Sequence, residues 1–267
     1  MQITHPLIGS LKLENPIILA PMAGITSLPY RRIMKQHGAA LVFTEMVSAN
    51  GLIRDGRRTR ELLVSSPDET PLGVQLFGDD PQVLAQATGM IADECTLLDI
   101  NMGCPVKKVI RSGAGSALLK EPQRIARIVR AVRNEYQGPL TVKIRSGWDT
   151  DNINYLEIGQ IAENEGADAI TLHPRTRSQA FGGKADWRQI AELKQAVQIP
   201  VIGSGDIFSP QDGVKMLTDT GCDAIMIGRG GYGNPWLIRD ILTLLGGGTP
   251  SPVSAKEKCR VALQHLE

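Results

Sequence analysis

Cysteine is scarce: Cys95, Cys104, Cys222 and Cys259 are the only four in 267 residues, and no two form a C-x-x-C pair. That spacing argues against a disulfide framework or a paired-thiol zinc site and leads us to expect reduced thiols in a cytoplasmic protein. Four histidines, at 5, 37, 173 and 265, occur without an H-E-x-x-H motif, so no metal site is expected. Aromatic residues make up only 4%, too few for an extended base-stacking surface. There is no run of about 18 apolar residues and no charged-then-apolar leader, which excludes a membrane helix and a secretory signal as readings of this sequence. Charge of one sign is also missing, since 29 Lys+Arg against 28 Asp+Glu leave +1 and rule out a histone-like polycation. What is present is the composition of a globular domain, 42% hydrophobic and 21% charged. A chain of this length can bury roughly 70% or more of its extended surface without staples.

Short β-branched runs alternate with segments of helical period. Strands are predicted at Ile17–Met22, Leu41–Met46, Gly73–Phe77, Leu97–Met102, Leu140–Ile144, Ala169–His173, Val201–Ser204 and Ala224–Gly228. After the fourth, Ile125, Ile128, Val129 and Val132 recur on one helix face, with Arg124, Arg127, Arg130 and Arg133 mostly outside it. Runs such as Ala224-Ile-Met-Ile are apolar throughout, as parallel strands covered on both sides should be. Eight such units predict an α/β fold of the (β/α)8 TIM-barrel type; an open, doubly wound sheet is the rival arrangement. Leu7–Pro16, with Gly9-Ser10 at its middle, reads as a hairpin ahead of the first barrel strand. Residues 1–245 form the predicted barrel and the Gly/Pro/Ser-rich residues 246–254 a linker. Residues 255–267, opened by a Ser254/Glu257 capping box, would begin a helical domain that the chain does not complete.

In a barrel of this kind, chemistry concentrates at the C-terminal strand ends. Lys143 sits inside the apolar Thr141-Val-Lys-Ile-Arg run, where a buried ammonium costs several kcal/mol unless something negative faces it. An anionic cofactor would do so, and so would an ion pair with Glu45 or Asp99. Gly228-Arg-Gly-Gly-Tyr-Gly-Asn contains G-x-G-x-x-G, but no βαβ unit follows it. It reads either as a barrel phosphate site shared with Ser204-Gly-Asp or as plain tight turns. Cys104, between Gly103 and Pro105 beyond the fourth strand, would be a neutral thiol at pH 7 and able to donate a proton. His173 is a cofactor contact or a satisfied core histidine. From Lys107 to Arg145 ten basic and two acidic residues give a formal +8, and Arg54, Arg57, Arg58 and Arg60 form a second cluster. Either these are solvated helix faces or they attract a phosphate backbone. With so few aromatics, one extruded base fits better than a long single strand.

Ala20-Pro-Met-Ala-Gly-Ile-Thr, Gly73-Val-Gln-Leu-Phe-Gly, Asp99-Ile-Asn-Met-Gly-Cys-Pro-Val-Lys-Lys, Gly113-Ala-Gly-Ser-Ala-Leu-Leu and Ile225-Met-Ile-Gly-Arg-Gly together resemble the bacterial tRNA-dihydrouridine synthases, most closely the B-type branch. The match runs in order from about residue 5 to the end. The resemblance implies an FMN-bearing barrel and a helical tRNA-binding domain, and reduction of tRNA uridines to 5,6-dihydrouridine at the expense of NADPH. It implies that Pro21, Met22 and Ala23 line the flavin, that Gln75 bonds its edge, and that Lys143 meets its negatively charged side. His173 would touch the cofactor as well, while Ser204, Gly205, Asp206, Gly228 and Arg229 would hold its phosphate end. Asn101 would read the uracil edge. Hydride would pass from the flavin to C6 of the uracil and a proton from Cys104 to C5. Two positions depart from the family pattern: Ser204 replaces a usual Asn, and Pro174 a common Gly. A dihydroorotate-dehydrogenase-like enzyme acting on a free pyrimidine and a non-catalytic RNA-binding barrel are the rival functions.

Overall fold

The computed structural model describes residues 3–266. A two-residue turn at Gly9-Ser10 joins β1 (Leu7–Ile8) to β2 (Leu11–Lys12), with Gly9 at φ +55°. Eight strands then pair in parallel: β3 (Ile17–Leu19), β4 (Val42–Ser48), β5 (Leu72–Phe77), β6 (Leu97–Met102), β7 (Leu140–Arg145), β8 (Ala169–His173), β9 (Val201–Ser204) and β10 (Ala224–Ile227). Their order is β3-β10-β9-β8-β7-β6-β5-β4, and a single bridge, Ile18 to Leu41, brings the two end strands together. The sheet therefore wraps into a (β/α)8 barrel, not the open doubly wound alternative.

Helices pack outside it: α1 (Leu28–Gln36), α2 (Ala49–Ile53), α3 (Arg57–Glu61), α4 (Pro81–Ile91), α5 (Lys107–Arg111), α6 (Pro122–Glu135), α7 (Tyr155–Asn164), α8 (Arg188–Ala196), α9 (Pro210–Thr220) and α10 (Trp236–Leu245). On α6, Ile125, Ile128, Val129 and Val132 are fully buried, the face that periodicity picks out. Each such side chain contributes about 1.5–3 kcal/mol on burial.

Successive strand residues point to opposite sides. On β7, Val142 and Ile144 join the large cluster shared with the helices, which leaves Thr141, Lys143 and Arg145 for the interior. The same alternation turns Gln75 on β5, Asp99 and Asn101 on β6, and Thr171 and His173 on β8 inward. At the opposite end the interior is apolar, where Ile18, Phe43, Leu97, Ala169 and Ala224 cluster with Ile8 and Leu13 of the hairpin segment. Gly73 makes room there, since a Cβ would lie 2.3 Å from the Phe43 ring. The barrel is thus plugged below by hydrocarbon and lined above by polar groups.

Several boundaries differ from the sequence reading. β3 stops at Leu19 and not at Met22, because Pro21 has no N–H to give the ladder; Ala20 still donates to the Ile227 carbonyl. β10 ends at Ile227, one residue before Gly228. β4 runs on to Ser48 through an irregularity between Phe43 and Met46, and β7 runs on to Arg145. Past the irregular 246–254 segment, α11 (Ala255–Leu266) lies against α1, with Gln264 donating to Gln36. Its capping box is half made: Ser254 Oγ accepts from the Glu257 N–H, but the Glu257 carboxylate pairs with Arg260 at 2.7 Å. No described helix is long and apolar enough to cross a membrane.

Candidate active site

A cavity of about 440 Å³ opens at the C-terminal ends of the strands. All thirteen residues singled out from the sequence, from Pro21 to Arg229, line it. A larger cavity of about 890 Å³ between α1, α10 and α11 contains none of them. No group of three or more His, Cys, Asp or Glu among the described residues is gathered as a metal site would require.

One wall is apolar: Pro21, Met22, Ala23, Met46 and Met226. Cys104 lines the cavity as well, presented by a loop held from both directions. Asn101 Oδ1 accepts the Gly103 and Cys104 N–H groups at 3.2 and 2.9 Å. The Cys104 carbonyl accepts the Ser116 N–H and hydroxyl at 3.1 and 2.9 Å. Gly115, at φ +61°, passes so close beneath that a Cβ would lie 2.8 Å from the Cys104 carbonyl oxygen. The Gly113-Ala-Gly-Ser motif is therefore the support of the Cys104 loop. Burial raises the Cys104 thiol pKa against the opposing pull of the Val106 N–H, Arg145 and Lys143, so the sulfur keeps its proton at neutral pH.

Lys143 adjoins Asn101 on one side and Thr171 on the other. Neither proposed ion pair forms. Asp99 is bonded to Gln75 and Thr141, and Glu45 to the Gly24 N–H. Burial first, then the charge of Arg145, lowers the Lys143 pKa to about 8. The neighbouring Thr171 hydroxyl is buried without a partner.

Three residues that the sequence reading passed over complete the cationic side. Arg175, 2% exposed, donates two hydrogen bonds to Asp206 at 2.9 and 2.7 Å and lies 3.2 Å from His173 Nε2. A guanidinium can only donate, so His173 Nε2 accepts and its proton sits on Nδ1. Burial, reinforced by Lys143, Arg145, Arg175 and Arg229, keeps this imidazole neutral. Arg145 donates to the carbonyls of Gly103, Thr176 and Ala180. Phe181 lies under the guanidinium groups of Arg229 at 4.6 Å and Arg145 at 5.6 Å. Arg145 stands two residues beyond Lys143 on β7, so alternation could have found it, whereas Arg175 lies past the end of β8. Nothing in the sequence points to Phe181.

Asp206, at φ +56°, aims its carboxylate at Arg175, at Arg229 (3.3 Å) and at the Ala185 N–H. Burial works against ionisation there, yet these bonds and charges hold its pKa below the usual carboxylate range. A carboxylate so committed seats two arginines and does not itself grip an anion. Gly205, at φ +111°, has no room for a Cβ, which would lie 2.8 Å from His173 Cδ2. At Gly228 a Cβ would meet only ordinary contacts, Ala20 Cβ at 3.7 Å and Met22 Sδ at 3.8 Å. The N–H groups of Gly205, Arg229 and Gly230 meet no backbone carbonyl. An apolar wall, an uncompensated lysine and free N–H groups beside arginines suit a flat ligand with an anionic end.

The sequence profile of the family described as dihydrouridine synthase matches residues 18–267. The tRNA-dihydrouridine synthase B of Pasteurella multocida is 44% identical over 262 residues, covering 97% of this chain and 79% of that protein. That of Pseudomonas syringae pv. tomato is 42% identical over 261 residues, covering 97% and 77%. Among solved structures, a 2-naphthoyl-CoA reductase complex superposes with a TM-score of 0.69 at 12% identity, over 92% of this chain and 52% of the other. Histamine dehydrogenase from Rhizobium sp. 4-9 gives 0.65 at 14%, over 91% and 48%. The two superpositions establish the barrel alone, whereas the profile match and relatives more than 40% identical over 97% of the chain show the family: the chain belongs to the dihydrouridine synthase family.

Proposed function

We propose that this cavity binds FMN and that the chain reduces uridines of tRNA to 5,6-dihydrouridine with NADPH as electron donor, Cys104 supplying the proton. The observation that carries the reading is a protonated thiol and an unpaired lysine facing one cavity in a chain of this family. Pro21, Met22 and Ala23 would pack the flavin ring, with Gln75 and Lys143 at its polar edge and His173 beside it. The N–H groups of Gly205, Arg229 and Gly230, with the Arg229 guanidinium, would hold the phosphate, while Arg175 stays committed to Asp206, His173 and the Gly182 and Gly183 carbonyls. Ser204, at the start of that loop, contributes backbone and little else. When bound, the flavin would supply the hydride. Lys143, its pKa lowered by burial and by Arg145, would regain full charge against an anionic neighbour. Asn101 orients the extruded uracil, and Cys104 delivers its proton to C5 from the opposite side of the cavity.

The barrel through Leu245 carries this chemistry, the 246–254 segment is the linker, and α11 belongs to the tRNA-binding part. Free thiols at all four cysteines suit the cytoplasm. Arg130, Arg133, Arg124, Arg57 and Arg60 already pair with acids. Arg54, Arg58, Lys107, Lys108 and Arg111 have no ion pair among the described residues, and they follow the C-terminal ends of β4 and β6. They form the basic rim for the RNA backbone.

The test is an assay with FMN, NADPH and unmodified tRNA. Wild-type protein should be yellow and form dihydrouridine on tRNA while leaving free uridine and orotate unchanged. Cys104→Ala should keep its flavin and the reduction of that flavin by NADPH, yet lose dihydrouridine formation by about 10²-fold or more. Wild-type rates in that variant would overturn the acid assignment, and a colourless protein would overturn the flavin.

A further inference from the structure

Four buried side chains connect the barrel interior to the thiol loop. The N–H groups of Cys104 and Gly103 donate to Asn101 Oδ1 at 2.9 and 3.2 Å. Asn101 Nδ2 donates to Gln75 Oε1 at 2.8 Å. Gln75 Nε2 donates to Asp99 Oδ2 at 2.7 Å, and the Thr141 hydroxyl meets Asp99 Oδ1 at 2.6 Å. Asp99, Gln75 and Thr141 are each 1% exposed and Asn101 is 7% exposed, so water does not compete for these bonds.

The direction of this chain is dictated at both ends. Backbone N–H groups can only donate, so Asn101 must offer its oxygen to the loop and its nitrogen to Gln75. At the other end, the carboxylate oxygen facing Gln75 accepts, so Gln75 must offer its nitrogen there and its oxygen to Asn101. Reversing either amide would set N–H against N–H in a dry interior, at a cost of about 1–3 kcal/mol per unsatisfied group.

We propose that Asp99 is a positioning residue for the proton transfer: by fixing the amide orientations of Gln75 and Asn101 it holds the loop that aims the Cys104 thiol. The proposal rests on the reaction proposed above. Burial raises the Asp99 pKa to about 7, against its bonds to Thr141 and Gln75. The arrangement survives that titration, because a proton on Oδ1 would be donated to the Thr141 hydroxyl while Oδ2 goes on accepting from Gln75. Orientation and not charge is therefore what Asp99 contributes.

Two substitutions separate these roles. Asp99→Asn can still accept from Gln75 through its oxygen and donate to Thr141 through its nitrogen. It should form dihydrouridine within about threefold of the wild-type rate. Asp99→Val has a similar shape and no acceptor. It should lose tenfold or more in single-turnover uridine reduction, with flavin content and flavin reduction by NADPH within twofold, and with an altered rate of Cys104 alkylation by iodoacetamide. A tenfold loss in Asp99→Asn, unchanged uridine reduction in Asp99→Val, or an equal loss of both half-reactions in folded Asp99→Val would each overturn the proposal. Should Asp99→Val fail to fold, side-chain amide exchange in ¹⁵N-labelled wild-type protein decides. The Gln75 and Asn101 amide protons should exchange far more slowly than exposed amides, and exposed-type rates would refute the locked chain. A wild-type enzyme that forms no dihydrouridine would instead refute the reaction, leaving the hydrogen-bond chain measurable by exchange.

Discussion

His173 is an imidazole that the fold forbids to charge. Its pKa falls to about 2, through burial and four surrounding cations, against an ordinary value of 6.5. Below pH 6.5 the unfolded chain takes up a proton that the folded one refuses, so stability falls with falling pH across the window from 6.5 toward 2. Between pH 7 and 5 this amounts to about 2 kcal/mol. His173→Gln should flatten the dependence of the urea midpoint on pH over that interval; an unchanged slope would contradict a neutral His173. The candidates legible at this scale, Lys143, Cys104 and His173, are polar residues where an apolar strand ends, a pattern that needs no coordinates. Arg175 and Phe181 were not legible, because their roles come from a loop folding back across the barrel mouth. Asp206 was named for the phosphate end of a cofactor; in the structure its carboxylate seats cations, a fact that depends on contacts with residues 31 and 23 positions away in the chain.

Elements set the precision of the site. The glycines of the 113–116 turn read as a motif in the sequence, yet their purpose appears only when Gly115 is seen beneath the Cys104 carbonyl. Gly115→Ala combines a disfavoured positive φ with a contact at 2.8 Å to backbone. It should lower uridine reduction at least several-fold while flavin binding, built on other strands, stays near wild type; flavin titration and single-turnover assays measure the two. The start of α9 offers a test of stability alone. Ser209 Oγ accepts the Asp212 N–H and Asp212 returns the bond to the Ser209 N–H at 2.8 Å. Ser209→Ala should cost about 0.5–2 kcal/mol by urea unfolding, without a change in dihydrouridine formation. Sequence periodicity located the helices and the buried face of α6 because burial and period share one cause. It missed strand ends by up to three residues, as at β3, because ladders end where hydrogen bonding fails and hydrophobicity does not record that.

At the scale of the whole molecule, a formal charge of +1 hides an uneven surface. Much of the basic stretch is consumed internally, so the count of +8 overstates what an RNA meets. Replacing Lys107 and Lys108 together by Ala should weaken tRNA binding and flatten its dependence on log[salt] by roughly one to two units, whereas Arg130→Ala, whose partner is Glu165, should leave that slope unchanged. Filter binding across a salt series distinguishes the two. The circumference of the barrel is uneven as well. Neighbouring strands elsewhere pair over three to five residues, but β3 meets β4 at one bridge, with the Leu19 N–H to Leu41 carbonyl and Ala40 N–H to Ile17 carbonyl bonds at 2.9 and 2.8 Å. A cask with one thinly fastened stave leaks there before anywhere else. Deuterium should enter at Leu19 and Ala40 sooner than along the remaining staves, and because the loop that begins at Ala20 forms part of the cavity wall, a ligand lodged against it would act as a clasp across that gap.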